Sequence, residues 1–352
     1  MTNVATYIPE KLSFVQKIQL KFFKLFRLQK GATIKLYKGF ANSQFCHIYG
    51  HALSLSPLKK KHFRNFFLYN AIALLRLFMV RPIKGAVVTL QWKNKTYTAT
   101  TASDGFFKFD WEHDQTLLPG QYEVEVLLIK RNSTNIVKAR TRGQIIVPST
   151  TAFSFISDID DTFLIAHSSN LRKRLFVLLT ENAKSRKPFD GAVKHYRLLH
   201  GIDDKDPAVN TFFYVSSSEW NLYDYIKDFL KEYRLPDGVC LLNQIKTFSK
   251  LVSTGQNNHS GKFTRVVKII EAYPLQKFVL LGDDSQKDID IYSSIVEHFP
   301  QNVYCVYIRR VGKSEKENVL LKQKIIENKG IFFCYFSHSE DAILHSKKIG
   351  LI

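Results

Sequence analysis

The stretch Ser157-Asp158-Ile159-Asp160-Asp161-Thr162 follows directly on a short apolar, β-rich run, Phe153–Ile156. From this point to the end of the chain, short apolar runs alternate with segments of helical character. The later runs are Thr211–Val215, Val239–Leu242, Phe278–Leu281, Val303–Ile308 and Ile331–Phe336. Strands that are apolar on both faces and alternate with helices are typical of a parallel sheet covered on both sides. The sequence therefore predicts an α/β domain over residues 151–352.

Polar side chains stand at the ends of several of these predicted strands. They are Asp158, Asp160 and Thr162 after the first, Ser216 after the second, Lys262 before the fourth, and Asp283, Asp284 and Asp288 after the fourth. In open parallel sheets, ligands bind in a crevice beyond the carboxyl ends of the strands. We therefore expect these groups to meet in one crevice.

The residue types in this crevice predict phosphoryl transfer assisted by Mg²⁺. Asp158 and Asp283 would attract a hard cation, and the cation offsets their repulsion with an incoming phosphate. Asp158 can then attack phosphorus, while Asp160 protonates the leaving oxygen and later deprotonates water. In this scheme Ser216 donates a hydrogen bond to the phosphate.

A lysine and further aspartates complete the predicted constellation. The charge of Lys262 would stabilise the intermediate, and Asp288 would orient either Lys262 or the waters of the metal. Lys246 and Lys268 lie nearby in the sequence and are alternatives for the cation. Each motif alone also fits an ordinary turn or helix cap, so the prediction depends on their joint occurrence at strand ends.

Four segments of the sequence together resemble a known family: Asp158–Thr162, Ala183–Ala192, Tyr214–Leu222 and Gly282–Asp288. They are similar to the catalytic domain of the actin-patch-protein family of phosphatidate phosphatases, within the haloacid dehalogenase superfamily. The similarity covers about residues 150–352. Asp161 narrows the match, since many lipin-type relatives have Gly there. One departure is Ser217-Ser218-Glu219, where relatives often show an Asn-Ser-Pro type of sequence.

This resemblance implies a Rossmann-like sheet of the haloacid dehalogenase type. It also implies Mg²⁺-dependent hydrolysis of phosphatidate to diacylglycerol and phosphate through an aspartyl-phosphate intermediate. The resemblance implies that Asp158 is the nucleophile and Asp160 the acid and base. It implies phosphate binding by Thr162, Ser216 and Lys262. It also implies metal binding by Asp158, the Asp160 carbonyl and Asp283, with Asp284 and Asp288 supporting those ligands.

The N-terminal part of the chain is strongly basic. The whole chain has a formal net charge of +20, and residues 1–80 hold thirteen Lys and Arg residues against the single acid Glu10. Residues 1–30 predict a basic amphipathic helix, which would either lie on a membrane or pack on the protein. We expect an anionic phospholipid partner and peripheral membrane contact here, with nucleic acid disfavoured because no stacking platform or zinc pattern appears.

Residues 31–150 predict a small antiparallel β-sandwich with an inserted helix near residues 62–79, because short alternating strands are separated by turn signals such as Asp104-Gly105. The four cysteines form no CxxC pair, and no secretory pattern is recognisable, so we expect buried thiols and a cytoplasmic protein. The apolar run Phe66–Val80 is too short to span a bilayer.

Three functions remain open from the residues alone. The first is a lipid phosphatase at a membrane surface. The second is a soluble phosphatase for small phosphate esters or phosphoproteins. The third is a non-catalytic module that binds a membrane or a partner, which is disfavoured because Asp158 and Asp160 are both present.

Overall fold

The fold is taken from a computed structural model that describes residues 28–57, 76–114, 116–130, 136–149, 153–163, 188–201, 210–247, 259–284, 287–311 and 316–352. Two predicted elements therefore lie largely outside the described residues. They are the basic helix, as far as residue 27, and the inserted helix, of which only a short 3₁₀ turn at Arg76–Phe78 is described.

Within the described residues, nine strands form the N-terminal β unit. They are β1 Leu28–Leu36, β2 Gly39–Ala41, β3 Phe45–Pro57, β4 Arg81–Pro82, β5 Val87–Trp92, β6 Lys95–Thr100, β7 Phe106–Glu112, β8 Gly120–Lys130 and β9 Ile136–Val147. They belong to one hydrogen-bonded sheet with the order β1-β3-β2-β9-β8-β5-β6, and β4 and β7 also pair with β3. The sheet encloses a core that includes Val88, Trp92, Trp111 and Val126.

The β unit differs from the prediction in two ways. The sheet is mixed, since β2 pairs in parallel with β9, whereas the sequence predicted antiparallel pairing throughout. The bound of the basic helix at residue 30 is wrong, because Leu28, Gln29 and Lys30 are the first residues of β1. These residues pair with the far end of β3, from Leu28 opposite Pro57 to Lys30 opposite Leu55, so sheet pairing overrides their helical pattern.

The C-terminal part is the predicted α/β unit. Its strands are β10 Ser154–Ser157, β11 Thr211–Glu219, β12 Val239–Asn243, β13 Phe278–Asp283, β14 Val303–Arg309 and β15 Phe332–Phe336. Its helices are α1 Ala192–His200, α2 Tyr223–Glu232, α3 His259–Ala272, α4 Asp288–His298, α5 Lys316–Glu327 and α6 Ser339–Lys348. All six strands are parallel, in the order β12-β11-β10-β13-β14-β15.

The strand order places the first strand of this sheet at its centre. β10 lies between β11 and β13, and the chain winds outward from it in both directions. The direction of winding reverses between β10 and β13, which is where open α/β sheets form a binding crevice. The amide of Asp158 donates to the carbonyl of Leu281 over 2.8 Å, so the ends of β10 and β13 are joined at that crevice.

The two units share a packed interface. The ring of Tyr37 stacks on Trp220 at a centroid distance of 3.9 Å, and Phe40 packs against Phe213. Polar contacts flank these rings, with Asn42 Nδ2 donating to the carbonyl of Ala272 over 2.6 Å. The buried Tyr37 and Phe40 therefore extend the core of the α/β unit into the β unit.

All four cysteines are free and buried, as predicted. Within the described residues, no helix has the length and apolar character needed to cross a membrane.

We predict that Phe40→Ala lowers the free energy of unfolding by about 3–5 kcal/mol, because it removes a fully buried ring from the interface between the units. Urea denaturation measures this change. The control is Leu118→Ala, at a side chain that is 70% exposed, which should change the free energy by no more than about 0.5 kcal/mol. Equal effects of the two substitutions would contradict the interface described above.

Candidate active site

The aspartate segment after β10 is buried although it is acidic. Asp158, Asp161 and Thr162 are almost inaccessible to solvent, and Asp160 is little more exposed. Asp161 has a φ of 63°, a left-handed conformation that Gly adopts freely and that Asp tolerates better than most residues. Asp161 thus occupies a backbone conformation that Gly would adopt without strain.

Lys262 lies between two carboxylates of this site. It belongs to the first half of α3, and its Nζ is 2.7 Å from Asp158 Oδ1 and also contacts Asp288 Oδ1. Burial alone would lower the pKa of Lys262, but Asp158 and Asp288 together raise the pKa above its ordinary value. Lys262 therefore stays protonated and provides a fixed charge beside Asp158.

The two alternative lysines are engaged elsewhere. Lys246 pairs with Glu219 over 2.5 Å, so the acid that departs from the family pattern is neutralised locally. Lys268 pairs with Asp110 of β7 over 3.2 Å and lies 5.1 Å from the centre of the Tyr49 ring. Lys262 is thus the lysine that the structure brings to Asp158.

Asp283 and Asp288 approach Asp158 from the end of β13 and the start of α4. Asp288 Oδ2 accepts a hydrogen bond from the amide of Asp283 at 3.4 Å. Gly282 makes this approach possible, because a Cβ at that position would lie 2.7 Å from Asp288 Oδ2 and 2.7 Å from Tyr292 Cε2. The Gly-Asp-Asp sequence at the strand end therefore has a steric reason for its glycine.

The residues present fit a divalent metal ion. Asp158, Asp283 and Asp288 are buried, and one carboxylate oxygen of each lies within 4.8 Å of the others. The Thr162 hydroxyl bridges two of them, at 3.4 Å from Asp158 Oδ2 and 3.3 Å from Asp283 Oδ2. Such crowded oxygen ligands suit a hard cation.

This grouping differs from the ligand set expected from the resemblance. It contains Asp288, which was expected to act through Lys262 or the waters of the metal, beside the expected carboxylates of Asp158 and Asp283. Burial raises the pKa of Asp158, and the carboxylates of Asp288, Asp283 and Asp160 raise it further. Lys262 lowers this pKa, but the net effect leaves it well above its usual range. A bound cation would oppose that increase and keep Asp158 ionised.

Ser216 and Ser218 form a small network within the last part of β11, which continues to Glu219 instead of ending at Val215 as predicted. The pairing of β11 with β12 is interrupted after Val215, and there the amide of Ser218 donates to Ser216 Oγ over 2.9 Å. Ser218 Oγ in turn donates to Asp160 Oδ2 over 2.7 Å. Sequence reasoning assigned no role to Ser218, although its position directly after Ser216 and Ser217 made it a candidate.

Asp284 faces away from this cluster. Its Oδ1 accepts from the amide of Val311 and its Oδ2 from the hydroxyl of Tyr335, both over 2.7 Å. Asp284 therefore ties the ends of β14 and β15 together beside the site, and it supports the site through the backbone.

Arg309, at the end of β14, is a supporting residue that sequence reasoning missed. Its Nε donates to the carbonyl of Thr162 over 2.6 Å, and its guanidinium lies between the rings of Phe189 and Phe336, 4.6 and 4.8 Å from their centres. Burial lowers the pKa of Arg309 to about 10, so it remains charged near neutral pH. Its position at a strand end could have revealed it.

Residues 153–310 match the family described as the catalytic domain of phosphatidate phosphatase APP1. The resemblance predicted from the four motifs is thereby confirmed over this region. All the aspartates of the site, together with Ser216, Lys262 and Arg309, fall inside the matched catalytic domain.

Curated relatives extend the comparison. Phosphatidate phosphatase APP1 of Saccharomyces cerevisiae is 29% identical over 161 residues, which is 45% of this chain and 26% of that protein. An uncharacterized protein of Schizosaccharomyces pombe is 22% identical over 235 residues, which is 66% of this chain and 37% of that protein. The chain therefore matches well under two thirds of the length of either relative.

Solved structures are more distant. An immunoglobulin-like domain of the M. primoryensis ice-binding adhesin has 11% identity and a TM-score of 0.18, and the match covers 34% of this chain and 96% of that one. A carbohydrate acetylesterase from Xanthomonas citri has 8% identity and a TM-score of 0.34, with 87% and 68% covered. Similarities this weak support neither a fold assignment nor an activity.

We predict that Gly282→Ala lowers the free energy of unfolding by about 1–3 kcal/mol, because the added methyl group overlaps Asp288 and Tyr292. The matched control is Gly261→Ala beside Lys262, where the added Cβ would lie 3.2 Å from the flexible end of Arg265. Alanine favours a helix over glycine, so the control should not be destabilised. Urea denaturation measures both, and an undisturbed Gly282→Ala protein would contradict the close packing.

Proposed function

We propose that this site hydrolyses the phosphomonoester of phosphatidate, with Asp158 as the nucleophile. The observation that carries the proposal is the buried contact of Lys262 with Asp158 and Asp288, inside a region that matches a phosphatidate phosphatase catalytic domain. A carboxylate that is fully buried beside a permanent cation is a typical arrangement for a covalent nucleophile.

The reaction has two steps, formation of an acyl phosphate on Asp158 and its hydrolysis by water. Asp158 attacks phosphorus and forms an acyl phosphate, while the bond from phosphorus to the diacylglycerol oxygen breaks and Asp160 gives that oxygen its proton. Water then attacks the same phosphorus and gives a proton to Asp160. The Asp158 carboxylate leaves, inorganic phosphate is released, and both aspartates regain their starting states.

The residues around Asp158 have complementary roles in these steps. Lys262 holds Asp158 in place and offsets the negative charge that develops on the phosphate. Ser216, whose oxygen accepts from Ser218, can donate its own proton to a phosphoryl oxygen. The Ser218 hydroxyl keeps the Asp160 carboxylate in one orientation from which proton transfer can occur.

Magnesium is the cofactor that we propose for this site. Asp158 and Asp283 would hold it through their carboxylates and Asp160 through its carbonyl, and Asp288 is close enough to join them. When bound, Mg²⁺ supplies a positive charge that offsets the repulsion between the carboxylates and the phosphate dianion.

The proposal includes the fold type of each unit and the cellular location of the protein. We infer a Rossmann-like sheet of the haloacid dehalogenase type, supported by the parallel strand order and by Asp158 and Asp283 at neighbouring strand ends. We infer a sandwich-like arrangement for the β unit, supported by the core that its sheet encloses. A cytoplasmic protein in peripheral contact with a membrane fits the buried free thiols and the basic N-terminal sequence.

We predict that Asp158→Asn reduces phosphate release from phosphatidate in mixed micelles by roughly 10⁴-fold or more, because it removes the covalent nucleophile. The matched control is Asp290→Asn on the same helix as Asp288, which should retain activity. Removal of Mg²⁺ with EDTA should abolish wild-type activity, and added Mg²⁺ should restore it. Appreciable turnover by folded Asp158→Asn protein would contradict the assignment.

Water-soluble esters separate the proposal from its alternative. A soluble phosphatase for small esters or phosphoproteins would use the same aspartates, so the Asp158 variant does not distinguish the two. We expect wild-type protein to hydrolyse phosphatidate far better than soluble phosphate esters in Mg²⁺. The opposite preference would favour the soluble phosphatase.

We predict that Ser218→Ala impairs protonation of the leaving group. Loss of a hydrogen bond to a carboxylate should lower kcat/KM for an alkyl phosphate by about 10- to 100-fold, whereas an aryl phosphate that needs little protonation should change far less. Ser217→Ala at the adjacent position is the control and should leave both values near wild type. An equal loss for alkyl and aryl phosphates would contradict this role of Ser218.

A further inference from the structure

The contacts between the two units determine the direction in which the strands of the β unit run relative to the α/β unit. The site end is defined here as the end of the α/β unit where β10, β11 and β13 finish. Lys35 Nζ lies 3.1 Å from Asp224 Oδ2, and Tyr37 stacks on Trp220, so both contacts follow directly on the end of β11. Asn42 instead reaches Ala272, which ends α3 at the opposite end.

The chain from Lys35 to Asn42 therefore runs away from the site end, and this direction fixes that of β9. β2 lies within this segment and pairs in parallel with β9, with Gly39 opposite Ile145. Consequently β9 begins toward the site end. Gly143 packs against the Leu36 side chain, since a Cβ there would lie 2.5 Å from Leu36 Cδ2.

The start of β9 extends beyond the contact of Gly143 with Leu36, in the direction of the site end. Val137 lies six residues before Gly143, and strand residues rise by about 3.3 Å each, so Val137 extends about 20 Å further in the direction of the site end. The described start of β9 thus stands at the site end.

The start of β9 is both basic and apolar. We call the residues Ile136, Val137, Lys138, Arg140 and Arg142 the basic tip. Ile136 and Val137 are 43% and 48% exposed, and the side chains of Arg140 and Arg142 are 63% and 75% exposed. Lys138 is also exposed.

The register shows that the arginines face away from the core of the β unit. Arg140 is opposite Leu127 and Arg142 is opposite Glu125, whereas the alternate residues Val124, Val126 and Leu128 belong to the core. Glu125 Oε1 lies 3.8 Å from Arg140 Nη1 and 3.7 Å from Arg142 Nε, so it offsets part of the charge. Lys138 lies at a register shift in the pairing of β8 with β9 and adds a third cation. The basic tip therefore keeps an excess of positive charge.

The chain enters and leaves the described β unit at the same end. Leu28, the first described residue, pairs with Pro57, after which the described chain is interrupted until Arg76. Arg76–Phe78 returns beside the site, where the carbonyl of Leu77 accepts from Asn221 Nδ2 over 2.9 Å. The site end is therefore also where the basic N-terminal sequence joins the structure.

We propose that the basic tip is a contact surface for an anionic phospholipid bilayer, and that it turns the site end toward the lipid. This inference rests on the proposed function, because an enzyme that acts on phosphatidate must reach a phosphate at the membrane surface. The cations attract anionic headgroups, and the exposed Ile136 and Val137 insert into the interface.

The experiment replaces the three cations together as Lys138→Gln, Arg140→Gln and Arg142→Gln. Binding to phosphatidylcholine vesicles with and without phosphatidylserine is measured by co-sedimentation of the full chain. We expect binding to phosphatidylserine vesicles to weaken by roughly 100-fold, about fivefold for each cation. When phosphatidate is added to the phosphatidylserine vesicles, its hydrolysis should fall in parallel, while activity on an aryl phosphate stays at the wild-type level and reports an intact fold.

The matched control removes the same charge from the opposite end, as Lys324→Gln, Lys347→Gln and Lys348→Gln. These residues are exposed in the last turns of α5 and α6, and they should be replaceable with little effect on vesicle binding. Equal losses in the two triple variants, or unchanged vesicle binding by the basic-tip variant, would overturn the proposal.

Two further outcomes separate the possible explanations. If the basic-tip variant lost affinity for an oligonucleotide but not for vesicles, the surface would bind nucleic acid and the lipid proposal would fail. If wild-type protein bound vesicles through the basic tip yet released no phosphate from phosphatidate, the proposed function would fail while the contact surface stood.

Discussion

The structure of the site depends on the buried contact of Lys262 with Asp158 and Asp288. All three side chains are about 1% exposed, so their charges are removed from water and must compensate one another. A buried charge without its partner is strongly unfavourable, which means that the three positions have to be fixed together. Lys262 stays protonated because its two carboxylate partners outweigh the effect of burial on its pKa.

Several parts of the fold serve to bring these charges together. Gly282 leaves the space into which Asp288 packs, and Arg309 holds the segment after β10 through the carbonyl of Thr162. The helix that carries Lys262 is also held by the β unit, through Lys268 in its second half and Ala272 at its end. The β unit is thus part of the support of the site, in addition to the membrane contact that we propose for it.

Much of the α/β unit could be predicted from the sequence because its strands are buried on both faces and the site residues follow those strands. The pairing of β2 with β9 could not be predicted, since it joins segments about a hundred residues apart whose local patterns are compatible with several partners. The helical pattern that reaches Lys30 was misleading because pairing with β3 determines the conformation there. The link from Ser218 to Asp160 depends on the interrupted pairing after Val215, which has no signal in the sequence.

The claim that phosphate is transferred to Asp158 can be tested by trapping the intermediate. Wild-type protein is mixed with phosphatidate in Mg²⁺, quenched in acid, reduced with borohydride, digested and analysed by mass spectrometry. Because borohydride converts a phosphorylated aspartate to homoserine, we expect that conversion at Asp158, and we expect none when phosphatidate is omitted. Conversion at another residue, or release of phosphate without conversion at Asp158, would contradict the mechanism.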